Sequence, residues 1–309
     1  VRHRLFTNLP YQSCRGEAIT RPHTLPTPKM DKPAEDVSRQ FPSQLYDTSS
    51  HAQKVSGLLA MATGLTAAAM TANWAARKDT SENFLGGLNW GERVFNWHPV
   101  LMVAGFMFLS VSAMLQYRVV RLPKAAQKAL HAGLHAGAIV CIITALAAVV
   151  TSHNYTDHNK NGTYAANLYS NHSLMGLAAL VLYFSQYLLG LLFFGLQVSP
   201  AWAAWYKPNH IFLGVFTLFA AVFAMQTGLT ELTTKLGCSY TVSSADWNPA
   251  HNYHRLSAGC QLANGIGIMV FLTALFAAYA LIGPGVTASR PTEEEPEGTK
   301  SALFEKLHP

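Results

Sequence analysis

Charge is what this chain has least of. Of its 309 residues only 12% are Asp, Glu, Lys or Arg, about half the share carried by an ordinary soluble domain. That excludes a typical water-soluble globule. The formal net charge of +6 is scattered between apolar runs, with no basic cluster interleaved with aromatics, so no nucleic-acid partner is expected. Cysteine is scarce as well. Cys14, Cys141, Cys238 and Cys260 show no CxxC, CxxCH or zinc-type spacing, which argues against covalently attached haem and thiolate metal centres. The alternation of apolar and polar residues that marks barrel strands is missing, which leaves helices as the way to cross a bilayer. The first long apolar run is not preceded by the h-region of a secretory signal.

What is abundant is hydrophobic sequence, 50% of the chain. It gathers into six runs, at 55–76, 98–117, 130–150, 172–196, 210–230 and 262–282. Each has about the 20 apolar residues that a membrane helix needs, and none contains Asp, Glu, Lys or Arg. The reading is an all-α, integral, multi-pass membrane protein spanning a lipid bilayer with six transmembrane helices within residues 51–285. Residues 1–50, with six prolines, read as a polar tail, compatible with an organelle-targeting remnant or a cytosolic extension. Residues 286–309 read as a charged tail around Glu293, Glu294 and Glu295. Arg118, Arg121, Lys124 and Lys128 crowd loop two, whereas loop three carries only Lys160. The positive-inside rule therefore places loops two and four and both termini on the cytoplasmic side or its equivalent. An endomembrane, the plasma membrane and an organelle inner membrane all fit.

Five histidines stand at the ends of apolar runs: His98, His131, His135, His172 and His210. An ionisable side chain at that depth is costly and by default functional. His98 lies in Phe95-Asn96-Trp97-His98-Pro99, where Pro99 suits a first helical turn and Trp97 suits the membrane interface. Spans two and four run the same way and begin with His98 and His172, so these two share a depth near the outer face. Spans three and five run the opposite way and begin with His131 and His210, which share a depth near the inner face. Two imidazole pairs at two depths suit two bis-histidine haems in a helix bundle, a wire for single electrons. Zinc would want a tighter cluster with acids or thiols, and a proton relay would want intramembrane carboxylates. His135 is four residues from His131 on the same helix face, and spacing alone does not choose between them.

Phe95 to Met102 resembles the second-span signature of the cytochrome b-561 family of ascorbate-dependent transmembrane electron carriers. Ala113 to Arg121 resembles the signature that closes that span. Lys124, Lys128 and His131-Ala132-Gly133-Leu134 resemble the third-span entry, and Tyr169 to Gly176 the fourth. Pro208, His210 and Gly214, then Gly228-Leu229-Thr230-Glu231, are similar to the fifth. The resemblance covers 51–285. It implies a four-helix core, spans two to five, binding two haem b groups. It implies His98 with His172 as axial iron ligands of the outer haem and His131 with His210 as those of the inner, and it favours His131 over His135. It implies an oxidoreductase that takes electrons from ascorbate held by Lys124 and Lys128 on the inner face, with Arg118 as a partner for a haem propionate or the same anion. It implies an acceptor, monodehydroascorbate or a ferric chelate, near His153 on the outer face. Members of the family are often homodimers.

There are departures. Leu174 stands where the family has tryptophan, and Ala203 stands at the spacing of its loop-four arginine, with Lys207 the nearest base. Loop five, 232–259, is longer than typical and carries Asp246, His251 and His254. On an oxidising face Cys238 and Cys260 would close that loop as a disulfide; otherwise they stand as buried thiols. Asn154 and Asn161 open glycosylation sequons that matter only where that face meets the secretory lumen. Two other classes stay open on the residues alone. One is a haem-bearing accessory subunit of a larger respiratory or photosynthetic membrane complex. The other is a helical scaffold or transporter without a redox role.

Overall fold

Six helices are long and apolar enough to cross a bilayer: α1 His51–Ala76, α2 Val94–Val119, α3 Lys124–Asn154, α4 Asn171–Gly195, α5 Pro200–Lys235 and α6 Ala258–Ile282. They come from a computed structural model that describes residues 51–154, 166–238 and 256–283. Both tails, most of loop three with Asn161, and most of loop five with Asp246, His251 and His254 lie outside the described residues. The six spans match the apolar runs, but two helices overshoot them. α3 has 31 residues and α5 has 36, or about 46 and 54 Å at 1.5 Å per residue, against a hydrocarbon layer of about 30 Å. Expectations of 130–150 and 210–230 fell short because a helix keeps its hydrogen bonds after leaving lipid, where hydropathy no longer reports it. Ser199 starts α5 by accepting the Trp202 backbone N–H at 3.4 Å, with Pro200 in the first turn, a favoured place for proline. Ala203 and Lys207 therefore belong to the helix and not to a loop.

Contacts at the helix ends define two faces. On one, the Gln53 side-chain amide donates to the Gly283 carbonyl at 3.0 Å and the Arg118 guanidinium donates to the Leu281 carbonyl at 3.3 Å. On the other, the Trp74 indole donates to the Asn83 carbonyl at 2.9 Å, and the Asn83 amide donates to the Leu236 carbonyl at 2.5 Å. The first face carries Arg118, Arg121, Lys124, Lys128 and Lys207 and is the inner one by the positive-inside rule. On the outer face a disulfide joins Cys238 to Cys260, with Cα atoms 5.8 Å apart. It closes loop five, the bonded alternative of the two left open by the sequence.

α1 and α6 are in extended contact along their length. Small residues make it close: Ala60, Ala67, Ala263, Ala274 and Ala277 are all buried. Ser56 donates to the Phe276 carbonyl at 2.8 Å, and Thr273 reaches Thr63 at 3.0 Å. Lipid offers no hydrophobic drive between helices, so close backbones and cross-helix hydrogen bonds do the holding. α2 lies against this pair and is 56% buried in its apolar window, against 17% for α4. A Cβ on Gly64 of α1 would overlap the Met107 carbonyl of α2.

The remaining helices form two pairs, α2 with α3 and α4 with α5, each in extended contact. Across the seam between the pairs there is no extended backbone contact among the described residues. Side chains bridge it instead. Two stretches widen into π-helix beside it, Ala104–Ser110 in α2 and Leu191–Gly195 in α4. Such widenings often sit at functional sites.

Candidate functional site

The seam holds the histidines. α2 opens with a 3-10 turn, Val94–Asn96, that leads into His98 and is steadied by the buried Asn96 amide, which donates to the Leu85 and Gly87 carbonyls at 2.8 and 2.7 Å. Across the seam the His98 and His172 ring centres are 6.0 Å apart, with planes at 84°. Those of His131 and His210 are 6.3 Å apart, at 68°. Two imidazoles bound on opposite sides of one metal, each at about 2 Å, have ring centres about 6 Å apart. Both pairs meet that spacing.

The hydrogen bonds also suit ligation. His98 Nδ1 donates to the Ala145 carbonyl at 3.2 Å, His172 Nδ1 to the Ala224 carbonyl at 2.7 Å, and His131 Nδ1 to the Ala113 carbonyl at 2.8 Å. A carbonyl only accepts, so the ring hydrogen is on Nδ1 and the lone pair is on Nε2, the arrangement a metal needs. His210 Nδ1 is buried with no partner among the described residues. Phe194 and Tyr206 pack against its ring at 5.3 and 5.7 Å.

These partners also measure depth. His131 and Ala145, the carbonyl beside His98, are fourteen residues apart on α3. His210 and Ala224, the carbonyl beside His172, are fourteen apart on α5. At 1.5 Å per residue, each helix puts about 21 Å between the two pairs, so they stand near opposite edges of the hydrocarbon layer.

Glycines make the room. A Cβ on Gly228 would lie 2.6 Å from His172 Cε1 and Nδ1, and one on Gly190 would lie 3.3 Å from His210 Cε1. His135 stands beside His131, ring centres 4.6 Å apart, with its Nδ1 2.7 Å from the Tyr183 hydroxyl. The ring that faces His210 is that of His131. No three of His, Cys, Asp and Glu gather at one point among the described residues; the imidazoles come in facing twos, which suits a planar macrocycle better than a tetrahedral ion.

The other sequence-expected residues divide between the faces. Lys124 opens α3 and Lys128 follows one turn later, donating to the Phe194 carbonyl at 3.4 Å at the inner end of α4. Arg118 is turned toward the end of α6 by its bond to Leu281. His153 lies in the last turn of α3 on the outer face. Its Nδ1 is 3.0 Å from the Asn167 side-chain oxygen, and the Asn167 amide donates to Asn154 at 2.8 Å. Nothing in the spacing of residues points to the Ala113, Ala145 and Ala224 carbonyls, to Tyr183 or to Asn167, because backbone acceptors and cross-helix neighbours leave no mark on it.

Residues 97–235 match the family described as eukaryotic cytochrome b561. The human lysosomal membrane ascorbate-dependent ferrireductase is 32% identical over 218 residues, 66% of this chain and 84% of that protein. The chain belongs to the cytochrome b561 family. A mouse transmembrane ascorbate-dependent reductase of the family is 38% identical over 183 residues, 58% of this chain and 68% of that protein. The plasma membrane ascorbate-dependent reductase of Xenopus laevis is 44% identical over 73 residues, 22% of this chain and 26% of that protein. The family match begins one residue before His98 and ends at the last residue of α5, so it takes in both facing pairs and leaves out the α1–α6 contact. Membership in this family implies haem b, and the facing imidazoles fit it.

Proposed function

We propose that this chain moves single electrons from ascorbate on the inner face to a ferric chelate on the outer face. Two b-type haems would be held by His98 with His172 and by His131 with His210. The observation that carries this is the pair of facing imidazole couples, each spaced for one metal and about 21 Å apart in depth. Haem supplies a one-electron store at each depth. Bis-histidine ligation leaves no open coordination position, which suits electron transfer rather than oxygen chemistry.

The chain's own residues do the rest. The Lys124 and Lys128 ammonium groups, at the inner end of α3, offer charge to the ascorbate monoanion. Ascorbate loses one electron and one proton and leaves as monodehydroascorbate. Lys207, on the first turns of α5, supplies the cation nearest to the position where the family carries arginine. On the outer face a ferric chelate gains one electron and becomes ferrous. His153, oriented by Asn167, offers a ring nitrogen there to the chelate; monodehydroascorbate is the other acceptor the family suggests. The names of the human, mouse and frog relatives support the donor, and that of the human protein supports the ferric acceptor.

Purified protein should show two haems per chain and a bis-histidine b-type spectrum that reduces on adding ascorbate. In vesicles loaded with ascorbate, with the inner face inward, external ferric citrate should be reduced. A preparation without haem absorbance rejects the cytochrome reading. Reduction by dithionite but not by ascorbate rejects the donor.

A further inference from the structure

His131 and His135 are the same chemical group, one helical turn apart on α3, with ring centres 4.6 Å apart. Something must decide which of them meets His210. The difference lies in what holds each Nδ1. His131 Nδ1 donates to the Ala113 carbonyl at 2.8 Å, which leaves the Nε2 lone pair free. His135 Nδ1 is 2.7 Å from a hydroxyl, that of Tyr183, which unlike a carbonyl carries a hydrogen to give. In this scheme the tyrosine hydrogen goes to His135 Nδ1. The ring hydrogen of His135 is then on Nε2, where a metal would have to bind.

Tyr183 is built to hold that position. It is 6% exposed, and its ring meets Phe106 edge-on at 5.0 Å and Phe184 at 6.4 Å. A buried polar group in a membrane needs a partner, and here two helices supply each other's: His135 from α3 and Tyr183 from α4.

We propose that Tyr183 selects the inner ligand: its hydroxyl holds His135 and so leaves His131 as the imidazole that faces His210. Tyr183 is a positioning residue in this scheme. The proposal rests on the two-haem reading above, and haem stoichiometry separates the two.

The full chain is purified in detergent in five forms, and haem per chain is measured together with the low-temperature spectrum and the electron paramagnetic resonance of the oxidised state. The native chain should hold two haems and His131→Ala one. His131→Ala with Tyr183→Phe should regain the second, with a bis-histidine signal of altered g values. Adding His135→Ala to that double variant should remove it again. Tyr183→Phe alone keeps the ring packing against Phe106, and the outer haem reports folding in every sample. The selection role is overturned if His131→Ala keeps two haems with Tyr183 intact, or if the double variant stays at one haem while Tyr183→Phe alone holds two with native g values. It is overturned too if Tyr183→Phe by itself empties both sites, which would make the hydroxyl a support of the whole bundle. A native chain with no haem overturns the two-haem reading, and the selection with it.

Discussion

At Gly228 an added Cβ would stand 2.6 Å from two atoms of the His172 ring, closer than packed atoms tolerate. The ring cannot move away without lengthening its 2.7 Å bond to the Ala224 carbonyl. Overpacking of this kind costs about 1–3 kcal/mol, and here the strain falls on an imidazole whose tautomer and direction depend on that bond. Gly228→Ala is therefore expected to lower occupancy of the outer haem at least several-fold while leaving the inner haem in place, as read by haem per chain and by the split of the reduced spectrum. Gly133 is exposed and has nothing within 4 Å of an added Cβ, and two residues from His131 it lies off that ring's face, so alanine there should leave both haems bound. Equal loss at Gly228 and Gly133 would show that the effect is general to the helices and not specific to the His172 seat.

At the scale of elements, the outer ends of α5 and α6 are tied by a disulfide and, through loop one, by two hydrogen bonds. The disulfide joins Cys238 to Cys260, 22 residues apart. The Asn83 amide donates to Leu236, and the Ala258 backbone N–H donates to the Glu82 carboxylate at 2.9 Å. A closed loop of this size removes about 3 kcal/mol of unfolded-state freedom in the chain-entropy account. Serine at both cysteines should lower the melting temperature by several degrees and loosen the outer haem before the inner, because α5 carries the Ala224 carbonyl and Gly228 toward that end. Thermal denaturation followed in the haem absorbance band measures both. An unchanged melting curve would mean that the side-chain bonds alone hold this corner.

On the scale of the whole molecule, the packing is uneven. α1, α2 and α6 bury one another closely, through alanines, glycines and cross-helix hydrogen bonds, whereas the α2–α3 and α4–α5 pairs meet mainly through side chains. Whatever fills the seam is thus part of what holds the pairs together, and a ligand that binds only the folded state stabilises it by mass action. Removing haem should speed hydrogen exchange in α3, α4 and α5 by orders of magnitude while α1 and α6 keep most of their protection. Uniform deprotection of all six helices would contradict this division, and so would none.

Six spans and their approximate positions were legible in the chain, because the thickness of a bilayer converts directly into the length of an uncharged apolar run. So were two depths for His98, His172, His131 and His210, since antiparallel threading returns every second span to the same face. The ends of α3 and α5 were not legible, because helix persists where hydropathy stops. Nor was the close α1–α6 contact, whose small residues carry no label of their partner. The choice between His131 and His135 was beyond spacing, because residues four apart share a helix face. What the sequence by itself determined is how deep each histidine sits. Depth alone already paired His98 with His172; which of His131 and His135 faces His210, and which nitrogen His98, His131 and His172 leave free, was decided only by tertiary structure, the latter through the Ala113, Ala145 and Ala224 carbonyls brought to the rings by neighbouring helices.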